Sequence, residues 1–366
     1  MLRPDPAEPA EALRGDLAAW LDRADADSGA GHDEPLVVTT SGSTARPKRV
    51  VLRRAAVLAS ADATHARLGG PGAWLLTLPH AYVAGVQVLV RSLHAGLAPV
   101  IRAEDEPLAA AIARLEGPRR YVSLVPTQLH RLLSSASAEA AEDLAALASL
   151  DAVLLGGGPV DADLRRSAAA HGIATVATYG MAETAGGCVY DGRPLDGVAM
   201  RTDDEARIWL RGPMLFDGYE HDEAATRAAL VDGWFRTSDV GEVSRDADGE
   251  PVLRVLGRAD DVVVSGGVNV PGAVVGDRLR THPGVAAAEV IGVEDAEWGR
   301  RLVAYVVAAP GADPQTEELR DWVAAVHPRA WAPRTVVRVP QIPRTDRGKV
   351  DRGALQALLA PAGGDR

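Results

Sequence analysis

The stretch Thr39-Thr40-Ser41-Gly42-Ser43-Thr44-Ala45-Arg46-Pro47-Lys48-Arg49-Val50 follows a short apolar run, Pro35–Val38, that is typical of a buried strand. Small side chains let backbone N–H groups turn toward an anion, and hydroxyls with a lysine complete a phosphate cradle. Because Gly-Lys followed by Ser or Thr is absent, this is not a Walker A loop. The same residues also fit a Ser/Thr-rich surface turn, and that alternative stays open at this point.

Lysine is almost absent from the chain. Of its 39 lysine and arginine residues, only Lys48 and Lys349 are lysines. Both lie in segments rich in loop-forming residues rather than in helical patterns. A lysine ammonium is a compact charge on a flexible stem, suited to reach a reacting phosphate or carboxylate. We therefore predict that Lys48 and Lys349 form two halves of one site.

Composition limits the class of protein. A chain of 366 residues suits a large domain followed by a small one. The net charge of −11 argues against a nucleic-acid partner or an anionic membrane surface. The single cysteine, Cys188, excludes an internal disulfide and fits a reducing compartment. No signal pattern or membrane-length apolar run is present, so we expect a cytoplasmic protein without membrane insertion. A monomer or homodimer is expected, although the sequence does not decide between them.

Apolar runs alternate with helical stretches from Pro35 to about residue 177. The predicted strands are Leu36–Val38, Ala73–Leu78, Pro99–Ile101, Tyr121–Val125, Ala152–Leu155 and Thr175–Ala177. The predicted helices are Ala10–Ala24, Arg53–Arg67, Val83–Ala95, Pro107–Leu115, Thr127–Leu133 and Asp161–His171. This alternation indicates an α/β fold: a mostly parallel sheet flanked by helices.

The pattern changes after about residue 200. Strand patterns around a turn at 246–249 predict a smaller β-rich subdomain. The charged junction 257–261 is the predicted boundary, which divides the chain into an N-terminal domain, 1–259, and a small mobile α+β domain, 260–366. We predict helices near Val275–Thr281 and Glu317–Val326 in that second domain. Strands are predicted there at Ala288–Gly292 and Val303–Val307.

Two motifs follow predicted strands of the sheet. The glycines of Gly156-Gly157-Gly158-Pro159 would allow a flat ligand to approach the carboxyl end of the sheet, although a plain strand-to-helix turn needs the same residues. The run Thr178-Tyr179-Gly180-Met181-Ala182-Glu183-Thr184 offers a ring to stack on a base, with a carboxylate and a hydroxyl for Mg²⁺. Helix-dipole stabilisation is the simpler explanation of Glu183.

Two further motifs supply an acid and a guanidinium. Asp239, in Arg236-Thr237-Ser238-Asp239, could accept both hydroxyls of a ribose. Arg258 begins the Arg258-Ala259-Asp260 segment of the predicted junction. An ordinary surface salt bridge would explain either residue equally well.

These motifs occur together and in this order with a final Arg344-Thr345-Asp346-Arg347-Gly348-Lys349. In that combination the chain resembles the adenylate-forming superfamily of acyl- and aryl-CoA ligases, over about residues 35–355. The runs 78–92 and 179–198 are similar to the o-succinylbenzoate–CoA ligases of menaquinone synthesis. The resemblance implies ATP, Mg²⁺ and coenzyme A as co-substrates and cofactor. The acid would form an acyl-adenylate with release of pyrophosphate, and CoA would then displace AMP.

The resemblance also implies roles for individual residues. It places the β- and γ-phosphates on Thr40, Ser41, Gly42, Ser43, Thr44 and Lys48. It places the adenine and its surroundings on Gly156, Gly157, Gly158, Pro159, Thr178, Tyr179, Gly180 and Met181. It places the α-phosphate on Thr184, Mg²⁺ on Glu183, and the ribose on Asp239 beside Arg258. Lys349 would bridge the carboxylate and the α-phosphate, Asp260 would be the hinge of a rotating C-terminal domain, and Gly266 and Gly267 would flank the CoA arm.

The acyl pocket has a requirement of its own. A ring carboxylate that does not react must be neutralised if it is buried. Arg91 lies on the predicted helix where these ligases resemble one another in having a basic residue, so we expect it to face that carboxylate. An exposed helix arginine is the alternative. Tyr82 and Gly85 would shape the pocket mouth, and Gly186 and Gly187 its wall.

Cys188 is predicted to be a small packed residue rather than a nucleophile.

Three other functions share most of these motifs. The first alternative is the same reaction on a different aryl or acyl acid, which only the pocket residues distinguish from o-succinylbenzoate. A second alternative is an adenylation enzyme that loads a carrier protein. No carrier motif follows Lys349 in the sequence, which counts against an embedded module of that kind. A non-catalytic nucleotide-binding homologue would be expected to have lost Lys349 or Glu183, and both are present.

Overall fold

The structure is a computed structural model that describes residues 1–26, 34–40, 47–265, 268–295, 299–344 and 350–359. For residues 23–26, Asp260, Val264, Asn269 and Gly299 it describes the backbone alone. Several predicted site residues lie outside the described residues: Ser41, Gly42, Ser43, Thr44, Gly266, Gly267 and Lys349. The roles given to them stay predictions.

The secondary structure is mixed. The helices are α1 Ala10–Ala26, α2 Arg54–Arg67, α3 Val83–His94, α4 Leu108–Ala113, α5 Pro126–Leu133, α6 Ala138–Ala148, α7 Ala162–Ala170, α8 Glu223–Ala229, α9 Gly272–Arg280, α10 Thr316–Ala324 and α11 Arg352–Ala357. The strands are β1 Leu36–Thr39, β2 Arg49–Leu52, β3 Ala73–Leu76, β4 Val100–Ile101, β5 Arg120–Leu124, β6 Ala152–Leu155, β7 Thr175–Met181, β8 Gly186–Tyr190, β9 Arg193–Pro194, β10 Ala199–Thr202, β11 Arg207–Arg211, β12 Gly218–Tyr219, β13 Leu230–Val231, β14 Trp234–Arg245, β15 Pro251–Arg258, β16 Val262–Ser265, β17 Val268–Pro271, β18 Val285–Asp295, β19 Gly299–Ala308 and β20 Thr335–Arg338.

The largest sheet has seven strands in the order β4-β3-β5-β6-β7-β8-β9. Strands β3 to β7 pair in parallel, while β8 and β9 add antiparallel at one edge. On one face, Leu75, Val122 and Val153 pack with Ile112 of α4 and Leu147 of α6. Burial of such apolar side chains is the main stabilising term of the fold. The predicted parallel sheet with helical cover is confirmed.

The predicted elements differ from the observed ones at the site end of the sheet. The strand predicted at Thr175–Ala177 continues to Met181, because its last residues pair with β8, where Gly180 lies opposite Gly187. A Cβ atom on Gly180 would lie 2.1 Å from the Gly186 carbonyl oxygen and 2.6 Å from the Gly187 Cα atom. The glycine therefore belongs to a close strand contact.

We expect Gly180→Ala to lower the free energy of unfolding by about 2–4 kcal/mol, because a methyl group there collides with backbone that cannot rotate away. Denaturant unfolding would measure the change. Gly15→Ala is the matched control: Gly15 lies inside α1 with nothing within 4 Å of its Cβ position. That substitution should stabilise the protein by about 0.5–1 kcal/mol, as alanine does within helices. Equal effects at both positions would contradict this account of Gly180.

A small three-stranded sheet carries the hydroxyl-rich loop. Strands β1 and β2 form an antiparallel hairpin in which Thr39 lies opposite Arg49, and β12 adds antiparallel to β2 with Tyr219 opposite Val50. The Thr40 N–H donates to the Lys48 carbonyl at 2.8 Å, and the Lys48 N–H donates to Thr40 Oγ1 at 3.1 Å. The two ends of the loop are therefore fixed to each other by backbone pairing.

The chain divides into two compact units. The first comprises residues 1–201, 209–236 and 243–253, and the second comprises 202–208, 237–242 and the described part of 254–366. Strands β10, β11, β14, β13 and β15 form a further sheet, and the hairpin predicted around 246–249 is present between β14 and β15. Each unit thus contains several separate segments of the chain. The domain boundary predicted at residue 260 stays a prediction.

The C-terminal part of the second unit is a sheet covered on both faces. Its strands run in the order β17-β16-β19-β18, with β20 parallel to β19. Alternate residues of β19 point to opposite faces. Leu302 and Ala304 pack in the cluster that contains α9 and α10 residues, whereas Val303 and Tyr305 pack with Leu355 of α11. The α+β organisation predicted for this region is confirmed.

Candidate active site

Two of the predicted nucleotide motifs lie side by side at the carboxyl ends of neighbouring strands. Residues 156–159 follow β6, and Thr178 to Met181 form the end of β7. A Cβ atom on Gly156 would lie 2.5 Å from Thr178 Oγ1, so the absence of a side chain lets these strand ends approach. Gly157, Gly158 and Pro159 are exposed. The edge is open where a parallel sheet is expected to bind ligands.

Glu183 and Thr184 lie in a 3₁₀ turn, Ala182–Thr184, directly after β7. The Thr184 side chain is fully buried, and its hydroxyl donates to the Gly186 carbonyl at 2.7 Å. The same oxygen accepts the Met181 N–H at 2.9 Å. The structure thus gives the Thr184 hydroxyl a role in the turn, and the phosphate contact predicted for it stays a prediction.

Glu183 is joined to Lys48 through Tyr219. The Tyr219 hydroxyl donates to Glu183 Oε1 at 2.8 Å, and the Lys48 Nζ atom lies 4.3 Å from the centre of the Tyr219 ring. Burial and the neighbouring Glu183 carboxylate raise the pKa of the Tyr219 hydroxyl far above its ordinary value. Tyr219 therefore stays a neutral hydrogen-bond donor to the carboxylate.

Arg91 is buried, with 4% of its surface exposed, on the last turns of α3. Its guanidinium lies 4.9 Å from the Trp74 ring centre, and Nη2 lies 3.5 Å from the Tyr190 hydroxyl. It forms no ion pair with a carboxylate of the described residues, and its buried Nε has no hydrogen-bond partner among them. The exposed-arginine alternative is wrong, since α3 packs between α2 and β3.

The wall of predicted pocket residues is close to this guanidinium. A Cβ atom on Gly186 would lie 3.8 Å from Arg91 Nη2 and 3.3 Å from Gln87 Cγ. The Gln87 amide donates to the Ala185 carbonyl at 2.8 Å and to the Val57 carbonyl at 3.1 Å. Gln87 thus fixes the backbone beside Gly186. Gln87 was not predicted as a site residue, although a lone amide within the apolar run of α3 was a usable signal.

A neutral histidine lies close to Arg91. His65 is 6% exposed, and its Nε2 accepts the Trp74 indole N–H at 3.3 Å. Burial, with the Arg91 guanidinium and His94 acting in the same direction, lowers the pKa of His65 to about 4, and Asp62 opposes this only in part. Arg91 therefore carries its positive charge beside a neutral His65 at neutral pH.

The depressed pKa of His65 predicts that acid destabilises the protein. As pH falls below about 6.5 the unfolded chain binds a proton at His65 that the folded chain binds only near pH 4. The free energy of unfolding should therefore fall across that interval by up to about 3 kcal/mol, and be independent of this group above it. Unfolding curves of wild type and His65→Gln, compared from pH 7 to pH 4, would measure the difference. An identical pH dependence in both would contradict the prediction.

The remaining pocket residues occupy the start of α3 and strand β8. Tyr82 precedes α3 and is 37% exposed, whereas Gly85 lies in its first turn, where a Cβ atom would be 2.4 Å from the Pro79 carbonyl oxygen. Gly187 packs under the Tyr190 ring. Cys188 is buried, and burial raises its pKa to about 12, which agrees with its predicted packing role.

Three predicted residues belong to the second unit. Asp239 lies on β14, where its N–H donates to the buried Thr237 hydroxyl at 3.0 Å. Arg258 ends β15 and precedes the 3₁₀ turn Ala259–Asp261, which contains Asp260. Their predicted contacts with ribose and their part in a hinge stay predictions.

The described residues contain no cluster of three or more His, Cys, Asp or Glu side chains arranged to hold a metal ion. Mg²⁺ commonly takes one or two carboxylates together with substrate phosphates, so a single well-placed acid is sufficient. Glu183 fits that requirement, because Tyr219 engages Oε1 and Oε2 has no hydrogen bond to another described residue.

Within the same described part of the chain, the helices are too short or too polar to cross a bilayer.

Comparison with known proteins shows the family. Residues 3–220 match the family model of the AMP-binding enzymes, and residues 275–349 match that of the AMP-binding enzyme C-terminal domain. The chain therefore belongs to the AMP-binding enzyme family. It is 47% identical over 334 residues to a probable 2-succinylbenzoate–CoA ligase of Mycobacterium tuberculosis, covering 90% of this chain and 85% of the relative. It is 31% identical to the 2-succinylbenzoate–CoA ligase of Bacillus cytotoxicus, covering 88% of this chain and 70% of the relative.

Solved structures agree with this likeness. The o-succinylbenzoate CoA synthetase of Bacillus subtilis, in complex with its acyl-adenylate intermediate, matches with a TM-score of 0.71 and 27% identity, covering 90% of this chain and 70% of that one. The amide bond synthetase McbA of Marinactinospora thermotolerans matches with a TM-score of 0.74 and 30% identity, covering 89% and 69%.

Proposed function

We propose that this protein is an AMP-forming 2-succinylbenzoate–CoA ligase, which supplies 2-succinylbenzoyl-CoA for menaquinone biosynthesis. In the first step the succinyl carboxylate attacks the α-phosphorus of ATP and pyrophosphate leaves. In the second step the CoA thiol attacks the mixed anhydride, a thioester forms and AMP leaves. The relatives named 2-succinylbenzoate–CoA ligase support this reaction, and the motifs for nucleotide and metal support its first step.

The observation that carries the choice of acid is the buried charge of Arg91, which no carboxylate of the described residues offsets. Removing a charged group from water costs several kcal/mol unless a partner of opposite sign is present. Among the described residues no carboxylate serves Arg91, whereas 2-succinylbenzoate carries a ring carboxylate that takes no part in the reaction. A planar guanidinium binds a carboxylate through paired N–H groups. The ring carboxylate on Arg91 would leave the succinyl carboxylate free to react.

The phosphate end of the reaction is assigned to Lys48, the loop beside it, and Glu183. Mg²⁺ held by Glu183 Oε2 would neutralise phosphate charge during the displacement. Lys48, which follows the loop, would bring its ammonium to the β- and γ-phosphates. Gly156–Pro159 and Tyr179 would hold adenine at the open edge of the sheet, and Asp239 with Arg258 the ribose. Asp260 as the hinge, and Gly266 and Gly267 beside CoA, complete the proposal.

Pyrophosphate release tests the proposal directly. Protein with ATP and Mg²⁺ should release pyrophosphate with 2-succinylbenzoate and not with benzoate or malonate. Addition of CoA should then give AMP and the thioester. Replacing CoA by small amines tests for amide formation, the chemistry named for the McbA neighbour. Replacing CoA by a carrier protein tests the alternative of carrier loading. Release with another acid but not with 2-succinylbenzoate would overturn the substrate and keep the adenylating chemistry.

The cellular setting is a separate part of the proposal. A cytoplasmic location fits the single cysteine, and the proposed oligomeric state is a monomer or homodimer. Fractionation and light scattering would test them.

A further inference from the structure

Tyr219 occupies a place between the two groups assigned to the phosphates. It lies on β12, whose pairing with β2 sets Tyr219 opposite Val50, two residues beyond Lys48. From there the hydroxyl reaches Glu183 Oε1 at 2.8 Å, and the ring face lies 4.3 Å from Lys48 Nζ. One side chain thus contacts the carboxylate through its edge and the ammonium through its face.

The position of Tyr219 is held by several independent contacts. Its backbone N–H donates to Thr226 Oγ1 at 2.8 Å, and its ring lies 5.0 Å from that of Phe216. The Phe216 N–H donates to the Glu183 carbonyl at 3.0 Å, which ties the 3₁₀ turn to the same segment. Tyr219 and Glu183 are each 8% exposed. The hydrogen bond between them is therefore built on a fixed frame.

We propose that Tyr219 is a positioning residue for ATP and Mg²⁺. Its hydroxyl fixes the Glu183 carboxylate through Oε1 and leaves Oε2 for the metal, and its ring holds the Lys48 ammonium 4.3 Å from the ring centre. Partners that orient a metal-binding carboxylate commonly affect metal affinity by about 10- to 100-fold. A cation over an aromatic face is held without losing its hydrogen-bond donors. The inference rests on the proposed adenylating function but not on the identity of the acid.

The test separates the two contacts by equilibrium binding of ATP, measured calorimetrically without any acid. Tyr219→Phe removes only the hydroxyl. We therefore expect the increase in ATP affinity that Mg²⁺ produces to be about tenfold smaller than in wild type, with the affinity in EDTA unchanged. Tyr219→Leu removes the ring as well, so binding in EDTA should weaken too. In a Glu183→Gln background, Tyr219→Phe should add no further loss, because both changes act on one carboxylate. The Mg²⁺ concentration needed for half-maximal pyrophosphate release should shift in parallel.

Tyr121→Phe is the matched control. Tyr121 is buried and its hydroxyl donates to the Leu68 and Gly70 carbonyls at 3.2 and 3.0 Å. Tyr121→Phe therefore also removes a hydrogen-bonded tyrosine hydroxyl from the first unit, but not one that contacts Glu183. This variant should change the melting temperature but not the Mg²⁺ dependence. Should Tyr219→Phe fail to fold, Tyr219→Leu carries the same test, because it also leaves Glu183 Oε1 without this donor and should weaken the Mg²⁺ dependence. An unchanged Mg²⁺ dependence in the folded variants would overturn the proposal. ATP binding that persists without 2-succinylbenzoate turnover would count against the proposed substrate alone.

Discussion

Lys349→Ala is expected to reduce pyrophosphate release with ATP, Mg²⁺ and 2-succinylbenzoate by about 10³-fold. A cation aimed at charge that develops in the transition state typically contributes an effect of this size. The prediction rests on the retention of lysine at only two positions and on the terminal Arg-Thr-x-x-Gly-Lys motif. Substrate KM values should change much less than kcat, because the contact strengthens as the new bond forms.

A control in the same loop distinguishes this role from a general effect of charge. Arg347→Ala removes a positive charge two residues away and should leave most of the activity. We expect thioester formation from supplied acyl-adenylate and CoA to persist in Lys349→Ala, because the predicted rotation of the C-terminal domain would remove this lysine from the second step. Undiminished adenylation in Lys349→Ala would contradict the assignment of the two lysines to one site.

Arg91→Met is expected to raise KM for 2-succinylbenzoate by at least about 100-fold. In the variant, the ring carboxylate of bound 2-succinylbenzoate would be buried without a partner. Breaking a buried ion pair in this way costs about 3–5 kcal/mol. The variant should nevertheless unfold at the same or a higher denaturant concentration, because the free protein loses a buried charge that no described carboxylate offsets. Lower substrate affinity together with retained stability is a combination that a purely structural arginine would not produce.

A substrate analogue makes the test specific. 4-Oxo-4-phenylbutanoate has the succinyl arm without the ring carboxylate, so wild type should use it poorly and Arg91→Met should treat both acids alike. Arg131→Met, on the exposed face of α5, controls for loss of an arginine and should change neither KM. Full discrimination between the two acids in Arg91→Met would place the carboxylate elsewhere.

Local patterns were sufficient to predict most of the parallel sheet. Strand β6 has the predicted bounds, Ala152–Leu155, because a fully buried strand is a continuous apolar run between turns. Helix α3 was predicted to within one residue from a long, largely apolar run, in which Gly85 to Ser92 are all buried. Helix α6, an alanine-rich segment with few strongly apolar residues, was not assigned.

The parts of the site that sequence reasoning missed depend on contacts between distant segments. Tyr219 lies in a strand of two residues and meets a carboxylate 36 residues away, so no local period could reveal it. The place of Tyr219 beside Lys48 follows only from the pairing of β12 with β2, which sequence patterns did not predict. The phosphate role of Thr184 was implied by the family resemblance and stays a prediction. The hydrogen bonds of its hydroxyl to Met181 and Gly186 depend on the backbone of the turn, so no sequence pattern could reveal them.

The hairpin that carries the hydroxyl-rich loop has a thermodynamic consequence for nucleotide binding. With Thr39 paired to Arg49 and Thr40 bonded to Lys48, the entropy of bringing the loop ends together is lost when the protein folds. Thr40 and Lys48 are therefore held together before nucleotide arrives, so bringing them together costs no entropy at the moment of binding. Substitutions that weaken the pairing of β1 with β2 should therefore reduce ATP affinity even where they touch no phosphate.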